Sequence, residues 1–177
     1  MKVEIRKATK DDCMDLAKLV TIVWNETYKG IVDESFLQRL YKNERARGIE
    51  STKKFNNKER HKYVLLVNDE LSGFINVGKC DKTGFPGYGE VYALYILKKY
   101  QGKGIGKMLL NIGKKELKDM GYNKYVIGCL KGNPSNDFYI HQGGKYETTL
   151  MFEKLHIPEN VYSFDNNWKL HYTHNMI

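Results

Sequence analysis

The stretch that most constrains the fold is VYALYIL, residues 91 to 97, followed closely by QGKGIG, residues 101 to 106. Seven consecutive apolar residues read as a strand covered on both faces, because a strand with one wet face alternates polar and apolar positions. After the glycines, Gly104 to Met120 sets Ile105, Met108, Leu109, Ile112, Leu117 and Met120 on one stripe, with most lysines elsewhere, and Gly121 supplies the stop. YVIGCL (125 to 130) is a second covered strand. Residues 91 to 130 therefore form a strand–helix–strand unit, expected to be a right-handed parallel crossover.

The flanking segments fit a mixed α/β chain. VEIRKAT (3 to 9) alternates as a strand, and Asp11 or Asp12 can open a helix carrying Met14, Leu16, Leu19, Val20 and Val23 that ends near Trp24 to Tyr28. A second helix is expected over Asp33 to Arg47, and STKKFNNKERHK (51 to 62) reads as a polar, basic surface loop. KYVLLVN (62 to 68) and LSGFINVGK (71 to 79) form a hairpin across Asp69-Glu70, and DKTGFPGYG (81 to 89) turns the chain again. Asn133 can cap a short helix with Pro134 at its first position, ending at Gly143-Gly144. KYETTLMFEKLH and NWKLHYTH read as two strands around a turn-rich PENVYSFDNN. Neither a repeat nor a linker interrupts residues 1 to 177, so one domain is expected.

Composition narrows the setting. A chain of 177 residues can bury roughly 70% of its unfolded surface without staples. Cys13, Cys80 and Cys129 form neither CxxC nor a metal spacing, so a reducing cytoplasm is the natural setting. Charges interrupt every apolar cluster of the N-terminus, leaving nothing that reads as a signal or membrane span. The charge of +8, from 29 Lys plus Arg against 21 Asp plus Glu, suits an anionic ligand or is a plain lysine bias. The aromatics are scattered and no nucleic-acid motif is present, so nucleic acid is not the expected partner. The five histidines give no ligand set; His171 and His174 would face opposite sides of a strand, so no metal is expected.

The glycine loop fails two well-known patterns. A dinucleotide fingerprint starting at Gly102 needs a glycine where Lys107 stands, and a P-loop needs a glycine at Gln101 and a hydroxyl at Met108. What remains is Gln-x-x-Gly-x-Gly, either a simple chain reversal or a tight turn whose backbone can wrap an oxyanion. From Gln101 to Lys107 no carboxylate would repel one, and Lys103 and Lys107 add positive charge.

In this setting the chain resembles the GCN5-related N-acetyltransferase (GNAT) family, whose acyl-CoA motif is (Gln/Arg)-x-x-Gly-x-(Gly/Ala). EVYALYILKKYQGKGIGKMLL (90 to 110) is similar to the family's core block, and Asn133, Phe138-Tyr139 and Gly143 are similar to its downstream segment. Asn136 and Gly144 depart from that segment, where alanine and phenylalanine are usual. The resemblance implies the GNAT acyl-CoA N-acyltransferase fold: a mixed, mostly antiparallel sheet with a splayed central parallel pair, flanked by helices. It implies acetyl-CoA as cosubstrate. Backbone of Leu94, Tyr95 and Ile96 would pair with pantetheine, and the loop Gln101, Gly102, Lys103, Gly104, Ile105, Gly106 and Lys107 would hold pyrophosphate. Asn133 would contact the cofactor arm, although capping explains it equally well.

The implied chemistry is acetyl transfer to a primary amine by direct attack in a ternary complex. No cysteine lies in either matched segment. Tyr139 resembles the family's general acid, a phenol of ordinary pKa about 10 that is protonated at neutral pH. Glu90 stands where several members carry a general base; a strand-end surface carboxylate is its plainer reading. Its reference pKa of about 4.3 lies about six units below that of an alkylammonium, a gap of about 8 kcal/mol, so direct abstraction needs burial or a relaying water. Trp24, Glu26 and Tyr28 resemble the family's acceptor-side segment joining the first two helices, where Glu26 either attracts an ammonium or is a solvated helix end. The acceptor would be a small-molecule amine or a protein N-terminus, with the C-terminal strands offering a pairing surface for a homodimer. A silent acyl-CoA-binding domain of the same fold is the alternative.

Overall fold

A computed structural model describes residues 1–55, 58 and 60–166. Among the described residues, seven strands form one sheet in the order β1-β2-β3-β4-β5-β7-β6. They are β1 (Val3–Lys7), β2 (Arg60–Val67), β3 (Glu70–Lys79), β4 (Gly89–Ile96), β5 (Lys124–Leu130), β6 (Lys145–Phe152) and β7 (Ile157–Asp165). Of these seven strands only β4 and β5 run parallel; the other neighbouring pairs are antiparallel. The β2–β3 hairpin turns on Asn68 and Asp69 with φ of 50° and 66°, the left-handed pair that a two-residue hairpin requires.

Five α-helices among the described residues flank the sheet: α1 (Cys13–Tyr28), α2 (Glu34–Lys42), α3 (Glu44–Lys53), α4 (Ile105–Asp119) and α5 (Ser135–His141). On one face α4 buries Ile105, Leu109, Leu110 and Leu117 against Ile75, Val77, Val91 and Ile127. On the other, Leu16, Leu19 and Val23 of α1 pack on Val64, Phe74 and Leu97. The sheet is therefore covered on both sides at its centre, except that Tyr92 to Tyr95 in the middle of β4's apolar run are only half-buried. None of the helices among the described residues is long and apolar enough to cross a membrane.

Several expectations need correction. The helix expected over Asp33 to Arg47 is two helices, broken at Asn43, whose φ of −97° and ψ of 8° leave the helical region. The break frees the carbonyl of Leu40, and the Arg47 guanidinium donates to it at 3.0 Å. No glycine or proline announces it. The basic loop is shorter than 51 to 62, because α3 continues to Lys53 and β2 begins at Arg60. On α4, Met108 is 47% exposed, while Leu110 and Gly113 take the inward positions. The largest correction is β7, which runs through the stretch read as turns; the reversal lies instead before it, at His156 with φ of 52°. Pro158 is tolerated near the strand's start, and Val161, Tyr162 and Phe164 are buried. The strand expected in NWKLHYTH, with His171 and His174, lies outside the described residues.

Candidate active site

The site begins with a fault in β4. Ala93 to Ile96 pair with Asn76 to Gly73 in continuous register, but Val91 pairs with Val77, leaving Tyr92 as one extra residue. Such a bulge bends its strand. On the other edge β4 pairs with β5 only at Gly89, Glu90 and Val91. Beyond the bulge the two parallel strands part, and the β5-facing edge of residues 92 to 96 makes no strand pairing. A narrow slot of about 60 Å³ occupies the parting, lined by Leu94, Tyr95, Ile96, Cys129, Asn133 and Tyr139.

At the end of β4 the chain passes a 3-10 turn at Lys98–Tyr100 into the glycine loop. Gly102 and Gly104 hold φ of 72° and 77° with open space where a side chain would sit, so their need for glycine is conformational. Gly104 precedes α4, whose first-turn amides have no intrahelical acceptor. Lys103 and Lys107 are exposed, with no carboxylate within ion-pair distance among the described residues. Gln101 turns inward instead: its amide donates to the Ile96 carbonyl at 2.9 Å and ties the loop to the strand end.

Tyr139, on α5, is 6% exposed, and its hydroxyl makes no hydrogen bond among the described residues. Burial first, then Cys129, Tyr28 and Tyr95, holds its pKa well above the usual phenol value. Asn133 is fully engaged: its oxygen accepts from the Ser135 amide at 2.8 Å, and its amide donates to the Tyr28 hydroxyl at 2.9 Å. It thus caps α5 and couples that helix to α1 as the slot's wall.

Glu90 is not a surface carboxylate; it is 5% exposed. It lies 3.4 Å from the Lys82 ammonium, which also pairs with Glu159 of β7. Burial raises Glu90 above the usual carboxylate range, and Lys82 opposes that rise in part. Burial works against the charge on Lys82, but Glu90 and Glu159 more than restore it. These groups border a cleft of about 590 Å³ on the α1 side of the sheet, which shares Val91, Tyr92, Tyr95 and Gly128 with the slot. Slot and cleft therefore meet where β4 and β5 separate.

The acceptor-side residues expected from sequence divide. Trp24 and Tyr28 stand in the last turns of α1, their rings 4.5 Å apart, with Trp24 in the cleft and Tyr28 in the slot. They belong to the helix and not to a joining segment. Glu26 points elsewhere, its carboxylate accepting from the Lys98 amide at 3.1 Å. Sequence reading missed Lys82, Glu159 and Cys129. Lys82 lay in a glycine-rich turn and Glu159 in a supposed one, and only the register of β7 against β5 brings Glu159 over Gly128.

Residues 18–143 match the acetyltransferase (GNAT) family. YuaI, an uncharacterized N-acetyltransferase of Bacillus subtilis, is 30% identical over 145 residues, covering 77% of each chain. The PaiA N-acetyltransferase of Thermoplasma acidophilum, solved in complex with coenzyme A, superposes with a TM-score of 0.76 at 22% identity, covering 93% of this chain and 99% of that one. An N-acetyltransferase of Staphylococcus aureus Mu50 gives a TM-score of 0.63 at 22% identity over 94% and 99%. The splayed parallel pair, the glycine loop and these likenesses agree: the chain belongs to the GNAT acetyltransferase family.

Proposed function

We propose that the protein transfers an acetyl group from acetyl-CoA to a primary amine by direct attack in a ternary complex. The observation that carries this reading is Tyr139: a buried phenol with an unengaged hydroxyl, lining the slot that opens into a cleft containing a buried carboxylate. The Tyr139 hydroxyl is not among the fully enclosed unpartnered polar atoms, unlike that of the core residue Tyr125, and Tyr139 lines the slot.

The loop fits a pyrophosphate. Open amides at the start of α4, left-handed glycines and two unpaired lysines converge there. The unpaired edge of Leu94 to Ile96 suits an extended amide-bearing arm, with Gln101 leaving one lone pair of the Ile96 carbonyl available. Acetyl-CoA supplies the activated acyl group. In the cleft, Glu90 takes a proton from the ammonium, directly or through water. The amine nitrogen then bonds to the acyl carbon and gives its second proton to water, the carbon–sulfur bond breaks with its electron pair leaving on sulfur, and Tyr139 gives its proton to the departing thiolate. Glu90 gains one proton and Tyr139 loses one, and solvent resets both.

Two features of the electrostatics support these roles. Raising Glu90 narrows the gap between base and ammonium that an exposed carboxylate would face. The same burial that weakens Tyr139 as an acid also disfavours a thiolate beside it; Cys129, in that slot, is pushed up to about 12 by burial and then by Glu159. A CoA thiol in the same slot would be shifted in the same direction as Tyr139, which would keep acid and leaving group matched. Cys129 itself is a thiol at neutral pH and a poor nucleophile.

The test is thiol release from acetyl-CoA across a panel of primary amines. Release that depends on the amine, with acetylated amine as product, supports the proposal. No release from any amine, with no CoA binding, overturns it.

A further inference from the structure

The acceptor cleft does not end at Glu90. It shares Val20, Arg47 and Arg60 with an adjoining cavity of about 380 Å³, which is also bordered by Lys62 and Asn76. Strand register places these groups. Arg60 pairs with Gly78, and Gly78 with Glu90; Lys62 pairs with Asn76, and Asn76 with Ala93. Residues directly opposite in antiparallel strands share a face, so two rows cross the sheet on the α1 side. At a strand spacing of about 4.8 Å, Arg60 and Glu90 are about 10 Å apart along their row, with only a glycine between them.

The polar groups along this cavity are under-satisfied. The Arg47 guanidinium donates through one nitrogen to Ala17, Thr21 and Leu40, while its buried Nε has no partner. The buried Asn76 Oδ1 has none either. Lys62 lies 5.7 Å over the Phe74 ring, and burial lowers its pKa. No carboxylate comes within ion-pair distance of Arg47 or Lys62 among the described residues. Glu50 at the rim pairs with Lys54, and Asp81 lies 3.7 Å from Arg60. Arg47 and Lys62 are half-buried, a setting in which a cation without a counter-charge is costly, and an anion arriving there relieves that cost.

The geometry points to an acceptor that is itself an anion-bearing amine: its amine at Glu90 and a carboxylate or phosphate against Arg47, Arg60 and Lys62. This rests on the acetyl-transfer reading and names its substrate class as a small amino acid-like or aminophosphate molecule. Asn76, with an unpartnered acceptor oxygen, receives a donor from the middle of such a molecule or from water beside it.

The experiment compares matched amines with and without the anion: lysine against cadaverine, β-alanine against ethylamine, phosphoethanolamine against ethanolamine. We expect the anionic member of at least one pair to have kcat/KM about tenfold or more higher, the scale of one charge-assisted contact. The first two pairs report a carboxylate and the third a phosphate. Lys62→Met and Arg60→Gln should remove that preference while leaving CoA affinity intact. If in all three pairs the amine lacking the anion reacts as well as or better than its partner, or if both variants slow the two members equally, the anionic subsite is wrong while acetyl transfer stands. If no amine reacts, the acetyl-transfer reading fails and this inference with it.

Discussion

The two sides of the β4–β5 parting are built differently. The slot is neutral and closely fitted: Tyr139, Tyr28, Cys129 and Asn133 line it, and its ionisable groups are all held uncharged. The cleft is wide and charged, with Glu90, Lys82 and Glu159 at one end and Arg47 and Arg60 at the other. A neutral, narrow slot would suit a thioester and an acid for its sulfur, whereas a charged cleft would suit an ionic acceptor that must lose a proton before it reacts. One side keeps protons on, and the other takes them off.

That division can be broken from either side. Tyr139→Phe should lower kcat by about 10²–10³-fold with CoA affinity retained, the usual scale for a lost general acid; steady-state kinetics beside calorimetry measures both. Glu90→Gln should cost about 10²-fold in kcat/KM. Its sharper signature is the pH profile: the wild-type rate should rise with pH through a limb above the ordinary carboxylate range, because burial raises Glu90, and the variant should lack that limb. Lys82→Met removes the charge that opposes the rise, so the same limb should move to higher pH. A limb that stays in place would show that Lys82 does not act on Glu90.

Smaller effects test the scaffold. Gly104→Ala meets no steric obstacle but forces φ of 77° on a residue with a side chain, costing about 1–2 kcal/mol, and should weaken CoA binding about tenfold with little change in kcat at saturation. Asp12 is remote from both sides. The Arg6 guanidinium, hydrogen-bonded at 2.8 Å through both arms, is the main cause that brings it down to about 2. A lowered carboxylate stabilises the fold above its unfolded value of about 3.8 and loses that contribution as pH falls towards 2. Asp12→Asn should therefore cost about 1–2 kcal/mol at neutral pH, a loss that shrinks below pH about 4, and leave kinetics unchanged; thermal unfolding across pH checks it.

The same contrast governs what could be read in the chain. The slot side was legible because its information is local: a strand, a glycine turn, a helix and a capped second helix follow one another, and β4 and α4 fall within two residues of their expected ends. The cleft side was not, because register builds it. Arg60 and Glu90 meet only through Gly78, and the bulge at Tyr92 leaves no mark in composition. Glu159 was hidden in a strand rich in turn formers, where pairing with both β5 and β6 outweighs local preference. The α2–α3 break was invisible because an arginine side chain, and not a glycine or proline, accommodates it.

The central claim is direct transfer across the junction of slot and cleft. Its most direct test mixes the protein with acetyl-CoA, first alone and then with the best amine of the panel, following thiol release and intact protein mass over a single turnover. We expect no thiol and no acetylated protein until the amine is added, then one thiol and one acetylated amine per turnover. A stoichiometric burst of thiol without amine, with an acetyl group on Cys129, would contradict it.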